Sequence, residues 1–112
     1  MPPRDNRASA RYQVEIDMHV VAADGREATG RTLNLSLGGT LVLVPVTPSL
    51  RVGERVQVSF HVPELATPLS ATADVRWVGD LDESLVGLQF ATGFRAKETW
   101  ALGRFLEKQT PF

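Results

Sequence analysis

At 112 residues, 43% of them apolar, the chain is long enough for one domain with a modest core and too short for two. It contains no cysteine, which excludes disulfides, zinc–thiolate sites and cysteine nucleophiles. A formal net charge of −1 argues against non-specific DNA binding, which relies on a broad cationic footprint.

Arg4, Arg7 and Arg11 fall within the first eleven residues against one carboxylate, Asp5. Residues 1–11 also hold two prolines and show no alternation, so they are expected to form a flexible cationic arm, suited to a small anionic ligand. No apolar run approaches the roughly 20 residues that cross a bilayer. The opening Met1-Pro2-Pro3-Arg4 lacks the apolar segment of a secretory leader, so a cytoplasmic protein without membrane insertion is expected.

From Tyr12 the pattern changes. Tyr12, Val14, Ile16, Met18 and Val20 alternate with polar residues, which predicts one half-buried strand. Ala23-Asp24-Gly25-Arg26 supplies an Asp-Gly hairpin turn, and a second strand runs from Glu27 to Ser36 with Leu33 and Leu35 on one face. Thr40–Val44 predicts a third strand, ended by Pro45 and Pro48. Gly53-Glu54 turns into a fourth over 55–62, with Val56, Val58, Phe60 and Val62 inward. After a loop at Pro63–Pro68, a fifth strand over 69–79 places Ala71, Ala73, Val75 and Trp77 on one face and Thr72, Asp74 and Arg76 on the other. An acidic turn (Asp80, Asp82, Glu83) leads into a sixth strand over 84–90, with Val86, Leu88 and Phe90 inward.

Only the C-terminal stretch has helical spacing. Over 96–108, Leu102, Phe105 and Leu106 recur on one face, joined by Thr99, while Trp100 falls away from that stripe. Trp100 therefore either plugs a barrel end or sits at a contact surface. The expected fold is all-β with a C-terminal helix, a six-stranded antiparallel barrel closed to remove exposed edges. The expected layout is a single domain over 1–112, with an arm at 1–11, a barrel at 12–94 and a helix at 95–108.

Catalytic chemistry finds little support. His19 and His61 fall on solvent faces of separate strands, without the clustered ligands or acid–base partners that metal or hydrolytic sites need. Asp80, Asp82 and Glu83 lack an EF-hand's spacing and glycine. Gly38-Gly39 is followed by a β-branched strand with neither lysine nor helix, so it is not a phosphate loop. A non-enzyme with no metal and no cofactor is expected, and an RNA-binding barrel is disfavoured by the neutral body and the few aromatics expected to be exposed.

Two short stretches carry the binding chemistry. Arg7 and Arg11 lie four residues apart, and a guanidinium pairs bidentately with phosphate or with the O6/N7 edge of guanine. In Asn34-Leu35-Ser36-Leu37-Gly38-Gly39, Asn34 offers a donor and an acceptor and Ser36 a hydroxyl. Taken together, Arg7-Ala8-Ser9-Ala10-Arg11 matches the RxxxR motif of PilZ domains, and Asn34–Gly39 matches their [D/N]xSxxG motif. Gly53, Ala73-Asp74-Val75-Arg76-Trp77 and Val86-Gly87-Leu88-Gln89-Phe90 also resemble PilZ sequence, so the likeness runs from about Arg4 to Leu106.

The resemblance implies a six-stranded barrel with a C-terminal helix that binds the bacterial second messenger cyclic di-GMP. By position, Arg7 and Arg11 would hold phosphates and stack on or bond to guanine. Asn34 and Ser36 would contact a guanine edge, Gly38 would assist the bend, and Gly39 would let the backbone approach. Many PilZ domains carry a further arginine just before the motif; here that position is Asn6, with Arg4 the nearest substitute. Trp77 is a candidate ligand neighbour or a core tryptophan. With no attached output domain in the sequence, binding would order the arm and signal to a separate partner protein. The alternative is a PilZ-like interaction domain that binds no nucleotide.

Overall fold

In the computed structural model, residues 10–44, 50–79, 84–91 and 94–111 are described. Pro45, Pro48, the acidic turn at 80–83, Arg4, Arg7 and Phe112 lie outside them. In chain order the elements are β1 (Tyr12–Gln13), β2 (Asp17–Ala22), β3 (Glu27–Leu35), β4 (Gly39–Leu43), β5 (Arg55–Phe60), β6 (Leu69–Val78), β7 (Leu85–Phe90), then α1 (Ala96–Glu107) and β8 (Thr110–Pro111). Each neighbouring pair is antiparallel. The order β2-β5-β6-β7-β4-β3 closes on itself through a β2–β3 pairing, giving the six-stranded barrel.

The β2–β3 hairpin turns at Asp24-Gly25. Gly25 has φ +94°, a left-handed backbone that side chains with a Cβ rarely adopt, and Asp24 accepts from both the amide and the guanidinium of Arg26. Inside the barrel, Val20, Val42, Val56, Val58, Val75 and Val86 are buried with Met18, Leu35, Leu69 and Leu88. β-branched side chains fit a pleated, enclosed wall.

Helix α1 joins the same core through Leu102, Phe105 and Leu106. Its first turn is held by the Glu98 carboxylate, which accepts from the Arg95 amide at 3.1 Å, and its last by Lys108, whose ammonium meets Glu64 at 2.8 Å. That ammonium holds the Glu64 carboxyl below its ordinary range. Thr99 is exposed, contrary to the helical stripe expected for it; its hydroxyl donates to the Phe94 carbonyl instead. Trp100 is 63% exposed and lies under the Arg104 guanidinium, so it does not plug the barrel. A Cβ built at Gly103 meets nothing within 4 Å. Gly103→Ala is therefore expected to stabilise the fold by about 0.5–1 kcal/mol, read as a raised denaturant midpoint; a lowered midpoint would show that this face is packed.

Four further features depart from the sequence expectations. The strand expected at 12–20 is two, because register against β3 changes along it: Gln13 faces Asn34, whereas Asp17 faces Arg31. Three residues, Val14–Ile16, thus lie opposite only two, Thr32 and Leu33. Leu33 is itself a bulge against β4, where Thr32 faces Val42 and Asn34 faces Leu41. The bulge reverses alternation, so Leu33 is 37% exposed while Leu35 is fully buried. A second irregularity between Val75 and Trp77 leaves Arg76 without a ladder partner on β7, and turns Trp77 away from Val75 to 47% exposure. Finally, β8 pairs with β1, Tyr12 facing Pro111 and Gln13 facing Thr110. Two residues ending in proline carry no strand signal of their own.

Candidate functional site

The bulge in β3 decides what the [D/N]xSxxG stretch presents. Because alternation reverses at Leu33, Asn34 shares the outer face with its partners Gln13 and Leu41, rather than the interior with Thr32. It is nonetheless only 3% exposed, since β1 lies alongside and brings Arg11 across it. Arg11 Nη1 donates to Asn34 Oδ1 at 2.9 Å, joining the second arginine of one motif to the first residue of the other. The Thr40 hydroxyl donates to the Asn34 carbonyl at 2.7 Å, fixing the backbone from the neighbouring strand. Oδ1 and the backbone carbonyl are thereby engaged, and no described residue accepts from the Asn34 amide nitrogen.

Ser36 is differently employed. Its hydroxyl accepts from the Gly38 and Gly39 amides at 3.1 and 3.0 Å and donates to the Gly39 carbonyl at 3.2 Å. The serine amide donates to that carbonyl as well, at 2.8 Å. Ser36 closes the β3–β4 turn with every capacity a hydroxyl has. Gly39 meets a close approach, but from inside the protein: a Cβ there would lie 2.3 Å from the Leu88 carbonyl of β7. Gly38 is exposed at the tip of the turn.

The outer face continues the site sideways. Ladder partners run Gln13, Asn34, Leu41, Gly87, Trp77 across β1, β3, β4, β7 and β6. At about 4.8 Å per strand, Asn34 and Trp77 stand roughly 14 Å apart. Between them lie Leu41 and a glycine. A Cβ at Gly87 would fall 3.2 Å from the Trp77 Cβ, so the indole is set down over bare backbone. Beside it the Arg76 guanidinium donates to Gln89 at 2.6 Å. Arg26, Arg31 and Arg55 are each paired with a carboxylate, whereas the described partner of Arg11 is a neutral amide. The result is a shallow, partly apolar shelf with a guanidinium at one end and a tryptophan at the other.

Of the candidate residues, then, Arg11 and Asn34 are brought into contact, Ser36 and Gly39 hold the turn and the sheet, and Trp77 lies on the same face three strands away. Arg4 and Arg7 lie outside the described residues. Thr32 and Thr40 belong to the surroundings of the site but stand out in the sequence by no motif. Only the strand pairing shows that both reach the Asn34 region. Among the described residues there is no cluster of three or more His, Cys, Asp or Glu able to hold a metal, and no helix long and apolar enough to cross a membrane.

Comparison with known proteins bears on the whole chain. The family profile described as PilZ domain matches residues 5–108. No curated protein sequence matches the chain. Among solved structures, the inhibitor of motility MotI/DgrA of Bacillus subtilis is similar at TM-score 0.69 and 22% identity, over 96% of this chain and 58% of that one. The PilZ domain of YcgR from Escherichia coli, solved with c-di-GMP, is similar at TM-score 0.68 and 16% identity, over 94% and 92%. The PilZ domain of CeSA from a cellulose-synthesizing bacterium follows at 0.65 and 21%, over 87% and 94%. The chain thus spans little more than half of MotI/DgrA and nearly all of the two isolated domains.

Proposed function

We propose that this chain, which belongs to the PilZ domain family, is a receptor for cyclic di-GMP that binds the nucleotide on the shelf between Arg11 and Trp77. The observation that carries this reading is the Arg11–Asn34 hydrogen bond, which unites the two motifs at one point. Arg11, with Arg7 four residues before it, supplies guanidinium forks for the phosphates and a guanine edge. Asn34 offers its amide nitrogen to the guanine O6 or N7 acceptors. Ser36 and Gly38 hold the turn that keeps Asn34 in place, and Gly39 lets β4 lie against β7. Trp77 offers an exposed ring for a base to stack on, and Arg4, three positions before Arg7 in the sequence, adds a further charge to the arm.

Signalling follows from the same chemistry. Residues of the arm close over the bound nucleotide and form a surface that a separate partner protein reads. Fixing a residue costs roughly 1–2 kcal/mol, so several charge-assisted bonds of about 1.5–3 kcal/mol each are required. A thermal-shift measurement with cyclic di-GMP is the direct test. At a hundred times the dissociation constant the ligand adds about 2.7 kcal/mol, expected as a rise of roughly ten degrees in Tm. No rise at millimolar nucleotide would sink the receptor reading and leave an interaction domain, for which the exposed Trp100–Arg104 pair on α1 is the natural contact.

A further inference from the structure

We infer that Thr32, which lies outside both motifs, is a positioning residue for the nucleotide site: its buried hydroxyl fastens the strand that delivers Arg11 to the bulge that turns Asn34 outward. This rests on the receptor reading for its ligand and on the geometry for everything else. The buried polar residues among those described are Thr32, Asn34, Ser36 and Thr40, all at the end of β3, the start of β4 or the turn between them. Burying a polar group is unfavourable unless it is bonded, and the polar residues that are buried as whole residues among those described cluster beside the candidate site.

Thr32 is fully buried and faces Val42 across the ladder, a position that valine would fill with the same shape. What valine lacks is the hydroxyl. Where three residues of the first strand lie opposite two of β3, the ordinary ladder cannot satisfy every backbone group. The Thr32 hydroxyl accepts from the Ile16 amide at 3.0 Å and donates to the Val14 carbonyl, and the Thr32 amide donates to the Ile16 carbonyl at 2.9 Å. One residue thus binds both ends of the offset segment. That offset sets Gln13 opposite Asn34 and places Arg11 within reach of Oδ1. Because side chains alternate with a period of two, a slip of one residue would carry the arginine strand out of phase with Asn34.

The test compares Thr32→Val, which keeps the shape and removes the hydroxyl, with Thr32→Ser, which keeps the hydroxyl. Val58→Ala, a change in the core of β5, serves as a control for lost stability alone. If the hydroxyl holds the binding-competent offset, apparent affinity falls with the fraction of molecules that keep it. Calorimetric titration with cyclic di-GMP is expected to show Thr32→Val weaker by roughly tenfold, with Thr32→Ser and Val58→Ala close to the parent chain. Equal affinity for Thr32→Val and the parent, or equal loss in Val58→Ala, would overturn the inference and leave Thr32 as core packing.

Hydrogen exchange on the unaltered chain needs no variant to fold. Saturating cyclic di-GMP is expected to slow exchange of the Ile16 amide relative to the amides of β5, and no differential slowing would count against the role. If the parent chain binds no cyclic di-GMP, the receptor reading fails. The positioning then stands or falls on the Asn34 side-chain amide resonances, which must move in Thr32→Val and return in Thr32→Ser.

Discussion

Arg11→Ala is expected to weaken cyclic di-GMP binding by about a hundredfold while leaving the midpoint of unfolding nearly unchanged. The side chain is exposed, so little packing is lost on truncation, and exposed changes usually stay within about 0.5 kcal/mol. Its described hydrogen bond goes to the neutral Asn34 amide, which leaves its positive charge for a phosphate or a guanine edge. Charge-assisted hydrogen bonds contribute about 1.5–3 kcal/mol each, and every 1.4 kcal/mol is tenfold in affinity. Arg11→Lys keeps the charge but not the planar fork. It is expected to recover only part of the loss, with the recovered part falling as salt is raised. Titration calorimetry measures both; an Arg11→Ala variant within threefold of the parent would remove Arg11 from the site.

The second large effect is on folding. Gly39→Ala places a Cβ 2.3 Å from the Leu88 carbonyl and 3.4 Å from the Gln89 Cα, and both obstacles are backbone. A flexible side chain could swing aside, but a ladder strand must move whole, and β7 is held on its other edge by β6. Overpacking of this kind costs typically about 1–3 kcal/mol, occasionally more. For a domain of this size that is expected to lower Tm by roughly 5–15 degrees. Urea denaturation at constant m-value provides the check. An unchanged midpoint would mean that β4 and β7 separate freely at this point, and the glycine's place in the motif would then require ligand approach to explain it.

These two expectations divide the [D/N]xSxxG stretch in a way its letters do not. Asn34 offers an outward polar group, whereas Ser36 and Gly39 are spent on the protein itself, one closing the turn and the other admitting β7. Direct contact between Ser36 and a nucleotide would require its hydroxyl to release the Gly39 carbonyl, since it already accepts two amides and donates once. On the proposed reading, the serine and glycine support a site built around the asparagine.

Much of this protein was legible in the sequence because the relevant signals are local. Val56, Val58, Phe60 and Val62 alternate and are buried; Asp24-Gly25 turns where an Asp-Gly pair should; Leu102, Phe105 and Leu106 share a helical stripe and pack on the barrel. The two motifs identified the candidate site without reference to any fold, and Arg11 and Asn34, 23 positions apart, do meet.

What only the tertiary structure decided is phase and pairing. Strict alternation put Leu33 with Leu35 and Trp77 with Val75, but bulges reverse the phase in β3 and β6. A bulge is defined by the partner strand against which one residue is extra, and a single strand's sequence carries no count of its neighbour's residues. For the same reason β8 was invisible: Thr110 and Pro111 become a strand only because β1 lies beside them. Residue types and local periods are properties of the chain alone. The direction in which Asn34 and Trp77 point is a property of two strands at once, and at the candidate site that direction decides which groups face outward.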